Sequence, residues 1–186
     1  MKIELATPTL ERLPQYVDAL ERGWSPDSGR GRAAAQEQLA VIAKDAAGFV
    51  GRQTDPEAQG GPVTLPDGSK VTRLPGRVFW IWDGAFCGTL GFRWQTGTAA
   101  LPAHVLGHVG YSVVPWKQRQ GCATAALRLV LPHARAQGLP YVEVTTDPDN
   151  AASQKVITAN GGMLIEPFTK PAAFGNAPGL RFRIPL

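Results

Sequence analysis

The sequence of 186 residues predicts a mixed α/β fold in one domain, on three observations. Segments in which polar and apolar residues alternate, typical of strands, are interspersed with segments of helical spacing. Hydrophobic residues make up 44% of the chain and charged residues 18%, which is enough apolar material for a buried core. The 21 glycines and 16 prolines favour many short elements over a helical bundle. The predicted order is β-α-α-β-β-β-α-β-α-β-β.

The first 50 residues predict one strand and two helices. Lys2–Ala6 alternates as a strand does, and a helical apolar pattern follows from Thr9. Pro14 is acceptable there only within the first turn of the helix. After a loop, Ala33–Ala47 is the second predicted helix, with Gly48 as its end.

The middle of the chain predicts a hairpin insertion and two longer strands. Within 51–76, the turn sequence Pro66-Asp67-Gly68-Ser69 joins two short apolar segments, so we expect a small β-hairpin inserted into the domain 1–186. Arg77–Trp82 and Phe86–Trp94 are the next two strands, joined by a tight turn. Their six aromatic residues indicate either sheet core or, with Trp24, the lining of an acceptor pocket.

The last 80 residues contain the most regular patterns. A strand at His104–Val114 precedes a helix at Gly121–Gln137, and a strand at Tyr141–Thr146 precedes a short helix at Asn150–Ala159. A final hairpin is predicted from Met163–Phe168 and Leu180–Ile184.

Composition argues against several classes of protein. The net charge of +4 comes from scattered basic residues, so no nucleic-acid-binding stripe is expected. The N-terminus does not resemble a signal peptide, no apolar run reaches membrane-spanning length, and a cytoplasmic protein is predicted. Cys87 and Cys122 are the only cysteines, so neither a metal site nor a disulfide framework is expected.

The strongest chemical signal is a strand that runs through a polar loop into a helix, at residues 113–124. The N–H groups at a helix N-terminus lack intrahelical partners and attract anions. Gly121 and Ala123 are small enough to let a phosphate approach, and Lys117 and Arg119 add positive charge. The loop predicts a pyrophosphate site, and the alternative is an ordinary strand-to-helix turn. It is neither a Walker loop nor a dinucleotide fingerprint.

Two motifs resemble the GNAT superfamily of N-acetyltransferases. The segment 118–123, Gln-Arg-Gln-Gly-Cys-Ala, resembles the family's Gln/Arg-x-x-Gly-x-Gly/Ala signature, and Asn150–Ser153 followed by Asn160–Gly162 is similar to its second motif. Residues 107–113 and 147–150 are similar to an uncharacterised bacterial branch of the family. The resemblance covers residues 77–185 well and the first 50 weakly.

The resemblance implies a fold, a cosubstrate and binding residues. The fold is a central, mostly antiparallel twisted sheet with flanking helices, in which the strands 104–114 and 141–146 splay apart to admit acetyl-CoA. Val113 and Val114 would contact pantetheine, with the Val114 N–H as oxyanion donor, and Asn150 and Ser153 would lie beside the sulfur. Asn150 is also a candidate helix N-cap. The pyrophosphate would be held by Gln118, Arg119, Gln120, Gly121, Cys122, Ala123 and Thr124.

Catalytic residues are less clearly indicated. Alternation places His108 among small residues on one face of its strand, so it is the first candidate base, and the alternative is a histidine bonded within the sheet. Glu143 is the second candidate, or else a solvated strand residue. The family's general-acid tyrosine corresponds to Ile157, and Tyr111 could replace it unless it is a core residue. A water-relayed path without a dedicated base is the remaining option.

The resulting hypothesis is direct transfer of acetyl from acetyl-CoA to an amine of a small molecule or protein. The first alternative is a non-catalytic acyl-CoA sensor, which Ile157 favours, and the second is a nucleic-acid binder. Cys122 is not expected to act as a nucleophile, although its position at a helix N-terminus predicts a lowered pKa. The acceptor pocket is expected among the first helices, the loop 96–103 and the final hairpin, and a homodimer is possible. The acceptor itself has no readable motif.

Overall fold

The computed structural model describes residues 2–27 and 29–186. Within these residues the fold has five α-helices and ten strands. The helices are α1 Leu13–Glu21, α2 Gly31–Lys44, α3 Ala46–Gly51, α4 Cys122–Ala136 and α5 Ala151–Thr158. The strands are β1 Glu4–Ala6, β2 Thr54–Asp55, β3 Val63–Thr64, β4 Lys70–Val71, β5 Gly76–Trp82, β6 Phe86–Arg93, β7 Val109–Val113, β8 Tyr141–Thr146, β9 Met163–Thr169 and β10 Pro178–Pro185. No helix of the described residues is long and apolar enough to cross a bilayer.

The strands form two larger sheets and one hairpin. The first sheet has the order β1-β5-β6-β7, with β2 added to β5, and the second has the order β8-β10-β9. Every pair in both sheets is antiparallel. The hairpin β3–β4 lies in the segment 51–76, as the turn sequence predicts. The mixed α/β fold with an antiparallel sheet and flanking helices is confirmed.

The first sheet carries a hydrophobic core on each face, because successive side chains of a strand point to opposite sides. Phe79 and Ile81 of β5 pack in one cluster with Leu127 of α4. Trp80 packs in the other cluster, where its ring stacks on Tyr16 of α1 at 5.0 Å between centroids. The aromatic residues of β5 and β6 are therefore core residues, and of these Phe92 also lines a cavity.

Two predicted boundaries are wrong for local reasons. The helix predicted at Ala33–Ala47 ends at Lys44, since the Asp45 side chain accepts the Gly48 N–H at 2.7 Å and caps a new helix, α3. Gly48 is thus inside a helix, where a Cβ would lie 1.8 Å from Asp45 Oδ2. The strand predicted from His104 begins only at Val109, because residues 104–107 do not pair with β6 and His108 does so only through its carbonyl, which accepts the Arg93 N–H.

Candidate active site

The two sheets meet at one point and diverge from it. The His108 N–H donates to the Glu143 carbonyl at 2.8 Å, and the Glu143 N–H donates to His108 Nδ1 at 2.9 Å. A Cβ on Gly107 would lie 2.9 Å from the Glu143 carbonyl oxygen, so only glycine allows this approach. Beyond the contact, β7 and β8 belong to different sheets and form no ladder. The result is a V-shaped gap between the two strands.

One edge of this gap has free backbone groups. In the β6–β7 pair, the Arg93 N–H donates to His108 O and the Val114 N–H donates to Cys87 O. Backbone groups on an antiparallel strand alternate in direction, so those of Val109, Tyr111 and Val113 point away from β6 and into the gap. The Val114 N–H is already bonded within the first sheet at 3.0 Å. This corrects the expectation that it serves as oxyanion donor.

The predicted pyrophosphate loop lies at the open end of the gap. Gly121 is the N-cap of α4 with φ of +80°, and a Cβ there would meet no atom within 4 Å. The first bond of the helix runs from the Ala125 N–H to Gly121 O, which leaves the N–H groups of 119–124 without partners among the described residues. Arg119 adopts a φ of +61° within this turn. The loop therefore has six consecutive N–H groups without partners among the described residues, and unpaired N–H groups at a helix N-terminus form an anion site.

Side chains of the loop hold it in shape. Lys117 Nζ donates to buried Asp83 at 2.7 Å and ties the loop to the β5–β6 turn, so its charge is engaged within the protein. Gln118 Nε2 donates to Val113 O at 3.2 Å, and Gln120 Nε2 donates to Trp116 O at 3.0 Å. Arg119 is exposed and has no ion-pair partner within residues 2–27 and 29–186. It is the free positive charge of the loop.

Cys122, the first residue of α4, lies beneath the loop. Its thiol donates to Lys117 O at 3.4 Å and is buried. Burial raises the pKa of this thiol, and the same cause raises the pKa of the neighbouring Cys87 to about 12. The expectation of a lowered pKa at Cys122 is wrong, since desolvation of the thiolate outweighs the helix terminus.

Tyr111 and the start of α5 form a bridge across the gap. The Tyr111 hydroxyl lies 2.9 Å from Ser153 Oγ. Asn150 caps α5 by accepting the Ser153 N–H at 3.0 Å, as predicted, and its amide nitrogen makes no bond to a described residue. Ile157 is fully buried in the core. Burial raises the pKa of Tyr111, so its hydroxyl remains protonated at neutral pH.

The two candidate bases are both engaged. His108 is fully buried, and since Nδ1 accepts the Glu143 N–H, the neutral ring carries its proton on Nε2 and has no free lone pair. Burial lowers the pKa of His108 to about 4. Each Glu143 carboxylate oxygen accepts from an arginine, Arg181 at 2.9 Å and Arg183 at 2.8 Å. Burial opposes ionisation of Glu143, but these bonds outweigh it and hold its pKa below the ordinary value. This geometry argues against either residue as the base.

A cavity of about 860 Å³ lies on the face of the first sheet opposite α4. Its floor includes Gly91 and Arg93 of β6, and its walls come from the β3–β4 hairpin, from Asp27, Gly29 and Arg30, and from the segments 104–106 and 170–175. The first helices, the loop 96–103 and the final hairpin were predicted to shape an acceptor pocket; residues of the final hairpin line this cavity, whereas α1, α2 and the loop 96–103 do not. Arg93 and His104 were not predicted as site residues, because neither stands in a motif.

Comparisons with known proteins agree with this geometry. A family model described as an acetyltransferase (GNAT) domain matches residues 40–163. No curated protein sequence matches the chain.

Several solved structures share the fold. The microcin C7 self-immunity acetyltransferase MccE, in complex with acetyl-CoA and AMP, superposes with a TM-score of 0.61 at 12% identity, over 100% of this chain and 93% of that one. A GNAT-family acetyltransferase from Bacillus anthracis gives 0.61 at 14% identity, over 100% and 95%. Mycobacterium smegmatis RimJ in complex with CoA-disulfide gives 0.60 at 19% identity, over 98% and 81%.

Proposed function

The chain belongs to the GNAT family of acetyl-CoA-dependent N-acetyltransferases, and on that premise we propose how its residues move the acetyl group directly to an amine of a small molecule or protein. The observation that carries the proposal is the gap between β7 and β8, which begins at the N–H groups of 119–124 and has free backbone groups along one edge. A pyrophosphate at the loop directs a pantetheine arm into this gap.

The cosubstrate is held mainly by backbone. The N–H groups of 119–124 and the Arg119 side chain bind the pyrophosphate, and the Thr124 hydroxyl adds a donor. The backbone groups of Val109 and Tyr111 and the Val113 N–H pair with the pantetheine amides as a neighbouring strand would, since the Val113 carbonyl already accepts from Gln118 Nε2. We assign the oxyanion to one of these edge N–H groups in place of Val114. A preorganised donor of this kind contributes about 3–4 kcal/mol to the transition state.

Tyr111 supplies the proton for the leaving group. The amine lone pair forms the new N–C bond, the C–S bond breaks, and its electron pair leaves on the CoA sulfur, which takes the Tyr111 proton. Ser153 Oγ, at 2.9 Å, orients this hydroxyl and relays a proton back to it. Because Tyr111 fills the role of the family's tyrosine, the feature that favoured a non-catalytic sensor disappears.

The amine loses its proton to water in the acceptor cavity, and no side chain acts as a dedicated base. The support is that His108 and Glu143 are both engaged in hydrogen bonds. On this mechanism the acidic limb of the kcat/KM profile follows the pKa of the amine used. A limb that stays at one pH for amines of different pKa would assign the proton to a group of the protein.

A homodimer through β9 is proposed as the assembly. The outer edge of β9 pairs with no other described strand, and Met163, Leu164 and Ile165 are 58%, 52% and 46% exposed. Exposed apolar edge strands tend to pair with a second chain. Sedimentation should give a dimer that Leu164→Lys converts to a monomer, and a monomeric wild type contradicts the proposal.

The two free thiols suit a reducing compartment, and we propose that the enzyme acts in the cytoplasm.

Two measurements test the function. Acetyl-CoA at a hundredfold excess over Kd should stabilise the protein by about 2.7 kcal/mol in a thermal-shift experiment. Release of free CoA thiol over a panel of amines should then identify acceptors. No shift at millimolar acetyl-CoA overturns the cosubstrate site, whereas a shift without thiol release from any amine would support the sensor.

A further inference from the structure

The acceptor cavity contains a positive charge without a partner. Arg93 is the last residue of β6, and its side chain lies across the sheet over two glycines. Cβ atoms on Gly91 and Gly110 would lie 3.7 and 3.6 Å from Arg93 Nη2. Because the two glycines have no side chains, the Arg93 guanidinium can lie against the sheet at these positions. The edge of the guanidinium that faces away from the glycines lines the cavity.

Four of the five other basic residues that line the cavity form ion pairs: Arg30 with Glu37, Arg52 with Asp45, Arg73 with Asp55 and Lys170 with Asp147. The fifth, Arg77, has a buried Nε without a partner among the described residues, but it alternates onto the α4 face of β5, opposite to the face that carries Arg93. Arg93 has neither an ion pair nor a side-chain hydrogen bond within residues 2–27 and 29–186.

Two further features of the lining favour an anion at Arg93. The cavity-lining acids Asp27 and Asp67 accept N–H groups of their own turns, from Gly29 and Ser69 at 2.9 Å in each case. The ring of His104 also lines the cavity, and its Nε2 is buried with no partner among the described residues. A guanidinium presents a planar fork of donors that matches the two oxygens of a carboxylate or phosphate.

We propose that Arg93 binds an oxyanion of the acceptor, so that the substrate is a small amine that carries a carboxylate or a phosphate. This inference rests on the proposed function. Gly110 adjoins Val109 and Tyr111, whose backbone faces the gap, so the Arg93 side chain, which lies over Gly110, is beside the strand that receives the thioester on the proposed function. The amine and the anion of the acceptor are therefore separated by only a few bonds.

The test compares matched acceptors that differ in the anion alone. L-phenylalanine is paired with phenethylamine for the carboxylate arm, and O-phosphoethanolamine with ethanolamine for the phosphate arm. Wild type should prefer the anionic member of at least one pair by about 10- to 100-fold in kcat/KM, the range expected for a hydrogen-bonded charge. Arg93→Met should remove the preference and Arg93→Lys should retain part of it. Arg32→Met removes an exposed arginine outside the cavity and should leave the preference intact.

A binding measurement covers the case in which no panel amine is acetylated. With the pyrophosphate loop saturated by CoA, phenylacetate and phenyl phosphate are titrated into wild type and Arg93→Met. Wild type should bind one of them at least about tenfold more tightly than the variant. Equal affinity, or no binding to wild type, overturns the inference. If CoA itself does not bind, the proposed function fails first, so the two failures are distinguishable.

Discussion

Gly121 is the N-cap of α4, and Gly138 lies just after the C-terminus of the same helix. The two glycines therefore offer a matched pair of substitutions. Gly121 precedes α4 with φ of +80°, and Gly138 follows it with φ of +74°. A Cβ at either position would meet no atom within 4 Å, so neither substitution creates a clash with the protein. Replacement of each by alanine therefore imposes the same backbone strain, but only Gly121→Ala places a methyl group in the space assigned to the pyrophosphate.

The expected magnitudes separate stability from binding. A left-handed conformation costs an L-residue about 1–2 kcal/mol, so both variants should lose about that much stability. At position 121 the methyl group also displaces the anion from one or two charge-assisted hydrogen bonds, each worth about 1.5–3 kcal/mol. A loss of about 2.7 kcal/mol raises Kd for acetyl-CoA by about 100-fold.

The assay is denaturant unfolding without ligand, followed by thermal shift with acetyl-CoA at one hundred times the wild-type Kd. Wild type and Gly138→Ala should gain about 2.7 kcal/mol from the ligand, and Gly121→Ala should gain about 0.4 kcal/mol. Gly121→Glu, which adds negative charge, should gain nothing. Equal ligand gains for the two alanine variants would show that the anion does not bind at the N-terminus of α4.

Three further predictions concern the loop, the acid and the buried carboxylate. Arg119→Gly should be about 0.5–1 kcal/mol more stable than Arg119→Ala in urea unfolding, because both variants remove the charge and only glycine adopts a φ of +61° without backbone strain. Equal stabilities of the two variants would show that the backbone at position 119 is not strained. Tyr111→Phe should lower kcat about 100-fold without changing Kd for acetyl-CoA, and an unchanged kcat would exclude Tyr111 as the acid. Glu143→Gln should cost about 1.5–3 kcal/mol at pH 7, because Arg183 loses its partner and Arg181 keeps only Glu166. Since the folded-state pKa of Glu143 lies below its unfolded value near 4.3, its stabilisation is complete above that pH and is lost as pH falls through the folded pKa; a cost that does not decrease as the pH is lowered below 4.3 would refute this account.

The strands and helices of the C-terminal half were predictable because their periodicity is regular. Residues 141–146 are a strand exactly where alternation places it, and the helix predicted at 121–137 is found at 122–136. The division of the helix predicted at 33–47 was not predictable, since it depends on one side-chain bond between Asp45 and Gly48. Helical spacing continues across that break and gives no sign of it.

For the site, the sequence indicates features that depend on neighbouring residues better than features that depend on long-range pairing. The proposed pyrophosphate loop follows from local features, namely small residues at the start of a helix after a strand. The direction of the Val114 N–H depends instead on its register against Cys87, and the state of Glu143 depends on arginines about 40 residues away. Neither relation is visible in the neighbourhood of the residue concerned.

The position of the acid follows from how α5 packs. Ile157 is fully buried, and a Cβ on Gly162 would lie 2.3 Å from Ile157 Cγ2, so this side chain is fixed in the core. A hydroxyl for the gap then has to come from the opposite wall, where odd-numbered residues of β7 face α4 and α5. Tyr111 is the one of these whose side chain carries a hydroxyl, and Ser153, one turn before Ile157 on the same helix, meets it at 2.9 Å. On the proposed mechanism, the two walls of the gap thus share the function that a single helical tyrosine would supply.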